Sequence, residues 1–324
     1  MVSIYIYNDF PHSDCGLIGE SKNLEFLGKN YVFTTNAKDA DIIIFFDYKK
    51  NKKLDLFLSF YRNKFLVLVR TEPPSVLNEQ YERFESFSLI LDLGKYNRID
   101  NKVIFLEWPI CSNYFEKRDL YCATIPGSII LVNSNKFGNF NFYYSLRRKI
   151  VYNLSNVIKV VGSGWSIVDF NYRNFIGTVL HQVRNLSFNE ISKMNPLIHR
   201  LFCFPKSSTL SKGELFKNFE TVLIIENDPS YFSEKIIEAL LLRKNIIYIG
   251  GKIDCLPKIL HKHILTPEHN FIEIKNVIED VYSLRYLFPE IRTLDTPNLL
   301  QNWEAKTVWC KLISFTIESY SSTR

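Results

Sequence analysis

The feature that most constrains the fold is a series of short apolar runs, rich in β-branched residues, that alternate with stretches of helical spacing. The runs are residues 2–7, 41–46, 65–69, 87–91, 103–106, 128–132, 157–161, 221–225 and 245–249. Apolar runs without polar alternation are typical of strands buried on both faces. Between several of them an apolar residue recurs every three or four positions, as at Leu54, Phe57, Leu58 and Tyr61. This alternation predicts an α/β fold with mostly parallel sheets.

The strand–helix pattern occurs twice, on either side of an irregular stretch at residues 107–127. We therefore expect two Rossmann-like domains in tandem, at residues 1–126 and 127–298. Residues 299–324 again show helical spacing of apolar side chains, which predicts a closing C-terminal helix that packs back across the junction. In folds of this kind ligands bind at the carboxyl ends of parallel strands, where helix N-termini attract phosphate. Charged residues that directly follow strands are therefore the first candidates for a site.

Charge and cysteine content narrow the class of protein. The net charge is +6, and the basic residues are spread along the chain without an aromatic stacking platform, which argues against nucleic-acid binding. A mild basic excess fits small anionic substrates, or loose contact with an acidic membrane face. The six cysteines form no CxxC pair and lack zinc-ligand spacing, which favours a reducing compartment. With no signal peptide and no long apolar stretch in the sequence, we expect a cytoplasmic protein, with peripheral contact to the inner membrane face left open.

The most informative stretch is residues 216–251. A predicted strand brings Glu226 and Asn227 to its carboxyl end, and after Tyr231 a helix opens with Glu234 and Lys235. A lysine at a helix N-terminus is disfavoured by the helix dipole, unless an anion binds there between the lysine and the backbone amides. An ordinary strand–loop–helix with a solvated lysine fits the same pattern, so the residues alone leave both interpretations open.

The same stretch resembles the donor-binding motif of the family 10 glycosyltransferases, the α1,3/α1,4-fucosyltransferases, which have the two-domain GT-B fold. Glu226 and Asn227 match the Glu-Asn pair of that family, and Tyr231, Glu234 and Lys235 fall on its Tyr, Glu and Lys. The resemblance implies that these five residues bind a nucleotide sugar, GDP-fucose in that family.

Two departures leave the identity of the donor open. The loop between Asn227 and Tyr231 is about two residues shorter than in the family, and Glu220 stands where the family often has lysine. A transferase on the same scaffold that uses a CMP- or UDP-linked sugar is therefore the alternative. A non-catalytic protein that binds a glycan or a nucleotide is a further one.

The resemblance extends to two segments upstream. Residues 132–135 resemble the family's strand ending in Ser-Asn, and Arg147 in the next helix matches its phosphate-contacting arginine, with Arg148 as the neighbouring alternative. Residues 70–74 resemble the family's Glu-x-Pro segment, which makes Glu72 the candidate catalytic base. A solvated loop acid at Glu72 and a surface arginine at Arg147 are the structural alternatives.

The resemblance also implies a mechanism. Arg147 and Lys235 would stabilise the leaving diphosphate, Glu234 would accept hydrogen bonds from donor hydroxyls, and Glu72 would deprotonate the attacking hydroxyl. The transfer would invert the anomeric centre without a metal or cofactor, the nucleotide sugar being a co-substrate. A surface glycan such as lipopolysaccharide is the expected acceptor.

Two other patterns have the form of metal sites. Asp39 and Asp41 form a DxD sequence, but they precede a predicted strand, so a turn and a strand edge are expected there. His261 and His263 have no carboxylate or thiol in their vicinity in the sequence, and no metal site is expected.

Overall fold

The computed structural model describes residues 1–7, 31–47, 52–71, 85–93, 103–107, 109–110, 113–116, 124–134, 142–162, 165, 212–229, 231–291 and 293–324. The chain divides into two compact units. The first comprises Met1–Lys117, Ser230–Ile237 and Pro297–Arg324, and the second comprises Arg118–Pro229 and Glu238–Thr296. The domain limits expected from the sequence, at residues 126 and 298, stay a prediction.

The strands are numbered in chain order. They are β1 (Val2–Tyr7), β2 (Tyr31–Phe33), β3 (Ile42–Phe46), β4 (Phe65–Arg70), β5 (Leu89–Asp92), β6 (Val103–Phe105), β7 (Ile125–Val132), β8 (Ile158–Val161), β9 (Phe219–Ile225), β10 (Asn245–Ile249) and β11 (Ile264–Leu265). The α-helices are α1 (Lys52–Phe60), α2 (Asn113–Glu116), α3 (Phe142–Leu154), α4 (Lys212–Lys217), α5 (Glu234–Leu241), α6 (Lys258–His261), α7 (Phe271–Tyr282), α8 (Thr296–Leu299) and α9 (Ala305–Ser322). Among the described residues, no helix has both the length and the apolar character needed to cross a bilayer.

The first unit contains a sheet with the strand order β2-β1-β3-β4-β5-β6, and every pairing in it is parallel. Strands β3, β4 and β5 are buried along their whole length, which explains why their sequences are continuously apolar. Helix α1 covers one face, where Leu54 and Leu58 join a core with Ile43, Phe45 and Leu68.

The predicted C-terminal helix is present as α9 and belongs to the first unit. Trp309 is fully buried, and the centroid of its ring lies 6.1 Å from that of Phe33. The Tyr320 ring stacks edge-on against Phe65, and its hydroxyl donates to Asp41 Oδ1 at 3.2 Å. Asp41 also accepts from the backbone N–H of Ser3 at 2.9 Å, so the DxD sequence is a strand edge, as expected.

The second unit contains a parallel sheet with the strand order β11-β10-β9-β7-β8. Its core packs Leu146 and Ile150 of α3 and Ile274 and Ile278 of α7 against strand residues such as Leu223. The Asn270 side chain caps the N-terminus of α7 by accepting from the Glu273 N–H at 2.9 Å. Two parallel sheets with covering helices confirm the expected fold class, two Rossmann-like units in tandem.

Candidate functional site

The strand order of the second unit predicts a crevice at one end of its sheet. Strand β8 lies on one side of β7 and β9 lies on the other, so the topology reverses between β7 and β9. At such a switch point, the loops that leave two neighbouring strands diverge and open a crevice outside their carboxyl ends. Asn133 and Ser134 follow β7 here, and Glu226 and Asn227 follow β9. We refer to this place as the β7/β9 crevice.

Arg147, from α3, ties the two chain segments of the β7/β9 crevice together. Its Nη2 donates to the carbonyl oxygen of Ile225 at 2.6 Å, to that of Glu226 at 3.2 Å and to Asn227 Oδ1 at 3.2 Å. Its Nη1 donates to the carbonyl oxygen of Ser134 at 3.3 Å, on the β7 side. The side chain is 2% exposed, and this burial lowers the pKa of the guanidinium to about 10, so it stays charged at neutral pH.

Glu226 lies under the crevice and is fully buried. Its carboxylate is close enough to Arg147 to favour the charged guanidinium. Burial, and next the charge of Glu226, holds the pKa of the Tyr248 hydroxyl well above its ordinary value. A Cβ added at Gly250 would lie 2.5 Å from both Glu226 Cγ and the Tyr248 hydroxyl, so only glycine fits at this position.

Asn133 closes the other side of the crevice. Its Nδ2 donates to the carbonyl oxygen of Ile225 at 3.2 Å, which links the ends of β7 and β9 a second time. Its own carbonyl oxygen accepts from Trp165 Nε1 at 2.6 Å. Gly162, with φ +150°, lies against this carbonyl so closely that a Cβ there would be 2.1 Å from it. The turn after β8 can therefore approach β7 only because residue 162 is glycine.

A pair of aromatic side chains adds two titratable groups at the same end of the sheet. The Tyr143 hydroxyl, in the first turn of α3, is hydrogen-bonded to Nδ1 of His269, which lies just before α7. Burial, together with the carboxylate of Asp228, raises the pKa of Tyr143 to about 12. Burial lowers the pKa of His269.

Sequence reasoning placed Arg147, Glu226 and Asn227 in one site, and the structure brings these three side chains together. It did not single out Tyr143, Tyr248 or His269. A search for polar residues just after each strand would have found His269, which follows β11, but not Tyr143, because its partner is 126 positions away. Arg148, the neighbouring alternative to Arg147, is half-buried. The hydrogen bonds to the Ser134 and Ile225 carbonyl oxygens come from Arg147.

The remaining residues of the motif belong to the first unit, in its segment Ser230–Ile237. Glu234 and Lys235 are half-buried in the first turn of α5. Tyr231 is almost fully buried, and its hydroxyl donates to the carbonyl oxygen of Thr71 at 3.0 Å. Glu72, the candidate base, lies outside the described residues. The roles of all these residues in binding and catalysis stay predictions.

Thr71, the residue before Glu72, is fixed at the carboxyl edge of the first sheet. Asp47, with φ +49°, accepts from the Thr71 N–H at 2.6 Å and from the Thr71 hydroxyl. Next to it, Arg70 and Asp92 form a buried two-point ion pair. With the bond from Tyr231, the amide, hydroxyl and carbonyl of Thr71 all have partners.

Glu220 has a structural explanation that is independent of the donor. Its Oε2 accepts from the N–H of Gly127 at 2.6 Å, and its own N–H donates to Ser128 Oγ at 3.1 Å. It stands near the start of β9, five residues before the carboxyl end, which is roughly 17 Å away at about 3.3 Å per residue. Its presence in place of lysine therefore reflects how β7 and β9 are joined at the opposite edge of the sheet.

No family model and no curated protein sequence matches this chain, but solved structures do. A glycosyltransferase from Rickettsia africae ESF-5 shares 13% identity at a TM-score of 0.58, over 98% of each chain. Anabaena Alr3699/HepE in complex with UDP-glucose shares 12% identity at a TM-score of 0.61, over 98% of this chain and 100% of the other. At such identities the likeness concerns the fold: the chain has the GT-B type of architecture of these glycosyltransferases. Membership of glycosyltransferase family 10 stays a prediction.

Proposed function

We propose that this protein is a glycosyltransferase that moves a sugar from a nucleotide sugar to a hydroxyl group of a glycan acceptor. The observation that carries the proposal is the β7/β9 crevice, where Arg147, Asn133, Glu226 and Asn227 converge at the switch point of the second sheet. Support comes also from the fold, which extends over nearly the full length of two glycosyltransferase structures.

The chemistry requires stabilisation of a diphosphate as it leaves. The acceptor oxygen forms a bond to the anomeric carbon while the bond from that carbon to the phosphate oxygen breaks, and the diphosphate keeps the electron pair. In our proposal the developing charge is stabilised by Lys235, by the side-chain amide of Asn227 and by the positive potential of the buried Arg147. Because its Nη atoms are bonded to main-chain oxygens, Arg147 would act by holding Asn227 in place and by its charge.

The proton of the acceptor hydroxyl passes to a carboxylate, for which Glu72 is the candidate. The structure supports this part of the proposal through Thr71, whose three hydrogen-bonding groups are held by Asp47 and Tyr231. In this proposal Thr71 anchors the chain directly before the base. By the resemblance, attack opposite the leaving group inverts the anomeric centre.

Two donors are supported by separate observations. The motif from Glu226 to Lys235 resembles that of enzymes that use GDP-fucose. Anabaena Alr3699/HepE, with the higher of the two TM-scores, was solved with UDP and with UDP-glucose, which favours a UDP-linked sugar. Because Glu220 is explained by its bond to Gly127, it no longer argues against GDP-fucose, whereas the short loop after Asn227 still does. A surface glycan such as lipopolysaccharide is the acceptor we propose.

Thermal unfolding in the presence of UDP, GDP or CMP tests the proposal most directly. A ligand that binds only the folded chain stabilises it by about 2.7 kcal/mol when present at 100 times its Kd. We expect one of the diphosphates to raise the Tm, and to do so less in Asn227→Ala than in the wild type. Turnover with the matching nucleotide sugar and product analysis then name the donor. If none of the three nucleotides raises the Tm, the proposal is wrong; binding without turnover of any sugar would favour a non-catalytic binding protein.

A further inference from the structure

The Tyr143–His269 pair lies beside the β7/β9 crevice and has no role in the mechanism described above. Tyr143 precedes Arg147 by four residues on α3, so the two side chains project from the same face of the helix. The Tyr143 hydroxyl also lies near the Asp228 carboxylate and the Tyr248 hydroxyl, at the ends of β9 and β10. The pair therefore borders the site on the side opposite to β8.

The hydrogen bond within the pair bears on which tautomer His269 adopts. The pKa of Tyr143, raised to about 12 by burial and by Asp228, keeps its hydroxyl protonated at neutral pH. A protonated hydroxyl can donate, and when it donates to the ring, Nδ1 of His269 is the acceptor. A neutral imidazole has one donor and one acceptor nitrogen, and burial keeps His269 neutral by lowering its pKa. In that arrangement the hydrogen of the ring is on Nε2.

In this tautomer His269 presents a donor at Nε2. Its ring meets that of Tyr143 edge-on, with the centroids 5.4 Å apart, which holds the plane of the imidazole. The side chain is half-buried, and the positive charge of Arg147 lies one helical turn from Tyr143. A neutral N–H donor can bond to an anionic oxygen, which the positive charge of Arg147 favours and the nearby carboxylate of Asp228 disfavours.

We propose that His269 binds the nucleotide diphosphate, its Nε2–H donating to a phosphate oxygen, and that Tyr143 is the positioning residue that holds this tautomer. The inference rests on the proposed function, and it adds to it a contact that the motif from Glu226 to Lys235 does not contain. Burial and the charge of Asp228 raise the pKa of Tyr143, which keeps the hydroxyl protonated.

The first test is a histidine nitrogen NMR spectrum of the wild-type chain with and without ligand. The His269 signals are assigned by their absence in His269→Gln. We expect the Nε2–H tautomer in the free protein and a shift of its Nε2 resonance on addition of UDP, GDP or inorganic pyrophosphate, but not on addition of uridine. In Tyr143→Phe the signals should move towards a mixture of tautomers. Tyr152→Phe, the same change near the other end of α3, should leave them as in the wild type.

The second test is the affinity for the diphosphate that binds. A hydrogen bond to a charged group is worth roughly a factor of 10 to 100 in affinity, so His269→Ala should weaken binding by about that much. His269→Gln keeps a donor nitrogen at about the position of Nε2 and should restore part of the loss. Tyr143→Phe should give a smaller loss than His269→Ala.

The outcomes separate this inference from the function on which it rests. If UDP or GDP binds with unchanged affinity to His269→Ala, or leaves the Nε2 resonance of the wild type in place, the inference is wrong and the transferase proposal stands. A response to uridine without one to pyrophosphate would overturn the assignment to the phosphates. If neither UDP, GDP nor CMP binds the wild type, both proposals are wrong.

Discussion

At the scale of single residues, Arg147 has the clearest energetic consequence. Without the guanidinium, Arg147→Ala removes the hydrogen bonds to the carbonyl oxygens of Ile225 and Glu226 and leaves the buried Glu226 without this neighbouring cation. We expect a loss of about 3–5 kcal/mol in the free energy of unfolding, measured by urea denaturation. Lys149→Ala, an exposed change on the same helix, should cost less than about 1 kcal/mol. Equal costs for the two variants would show that Arg147 does not hold the crevice together.

His263 makes stability depend on pH. It is fully buried, and its pKa is lowered first by burial and then by the neighbouring charge of Lys262. Because the unfolded chain takes up the proton more readily, this contribution to stability is complete above the ordinary pKa of about 6.5 and declines as the pH falls below it. The urea midpoint should therefore drop between pH 7 and pH 5, and should drop less in His263→Asn. An unchanged slope in His263→Asn would exclude this source.

The site residues show what a sequence can reveal at this scale. Arg147, Glu226 and Asn227 could be predicted because a strand end and a helix stripe are local patterns. Tyr143 and His269 could not, because their meaning depends on a hydrogen bond between residues 126 positions apart. Burial of Arg147 was likewise hidden, since a charged residue on a helix reads as exposed until its carbonyl partners are known.

At the scale of elements, continuous apolar runs were the reliable signal. The runs at 41–46, 65–69 and 245–249 correspond to β3, β4 and β10, which are buried on both faces. Strands β2 and β11, of three and two residues, were not predicted, because elements so short carry no periodicity and form through pairing with β1 and β10. Helix α9 was predicted because apolar side chains recur at helical spacing over a long segment, residues 299–324.

Substitutions at Trp309 can test how much α9 contributes to the stability of the first unit. Its side chain is fully buried, and its Nε1–H has no hydrogen-bond acceptor within the described part of the chain. Trp309→Ala should cost about 3–5 kcal/mol of unfolding free energy through the cavity it leaves. Trp309→Phe should cost much less, because it removes a buried donor together with some apolar surface. Similar losses in both variants, measured by urea denaturation, would mean that the indole N–H does have an acceptor.

At the scale of the whole molecule, the repeated strand–helix pattern was enough for the fold class but not for the family. Parallel sheets need apolar strands and crossover helices, and many sequences satisfy that requirement, as the 12–13% identity with structures of the same architecture shows. For the proposed transferase, the choice of donor would depend on a few side chains in loops such as that between Asn227 and Tyr231. The contacts between such side chains and a substrate depend on the chemistry of the substrate, and they cannot be predicted from the pattern of buried residues.

The last prediction concerns the proposed reaction as a whole and is tested by a substitution of Glu72. Replacing it by glutamine keeps the shape of the side chain but removes the proton acceptor, so Glu72→Gln should lower kcat by about 10²–10⁴-fold. The Kd for the nucleotide, measured by titration calorimetry, should stay within about twofold, because the base contacts the acceptor hydroxyl. Glu85→Gln, an exposed carboxylate of the first unit, should leave both values unchanged. If Glu72→Gln turns over like the wild type, the proton goes elsewhere; if it loses nucleotide affinity and rate together, Glu72 belongs to the binding of the donor.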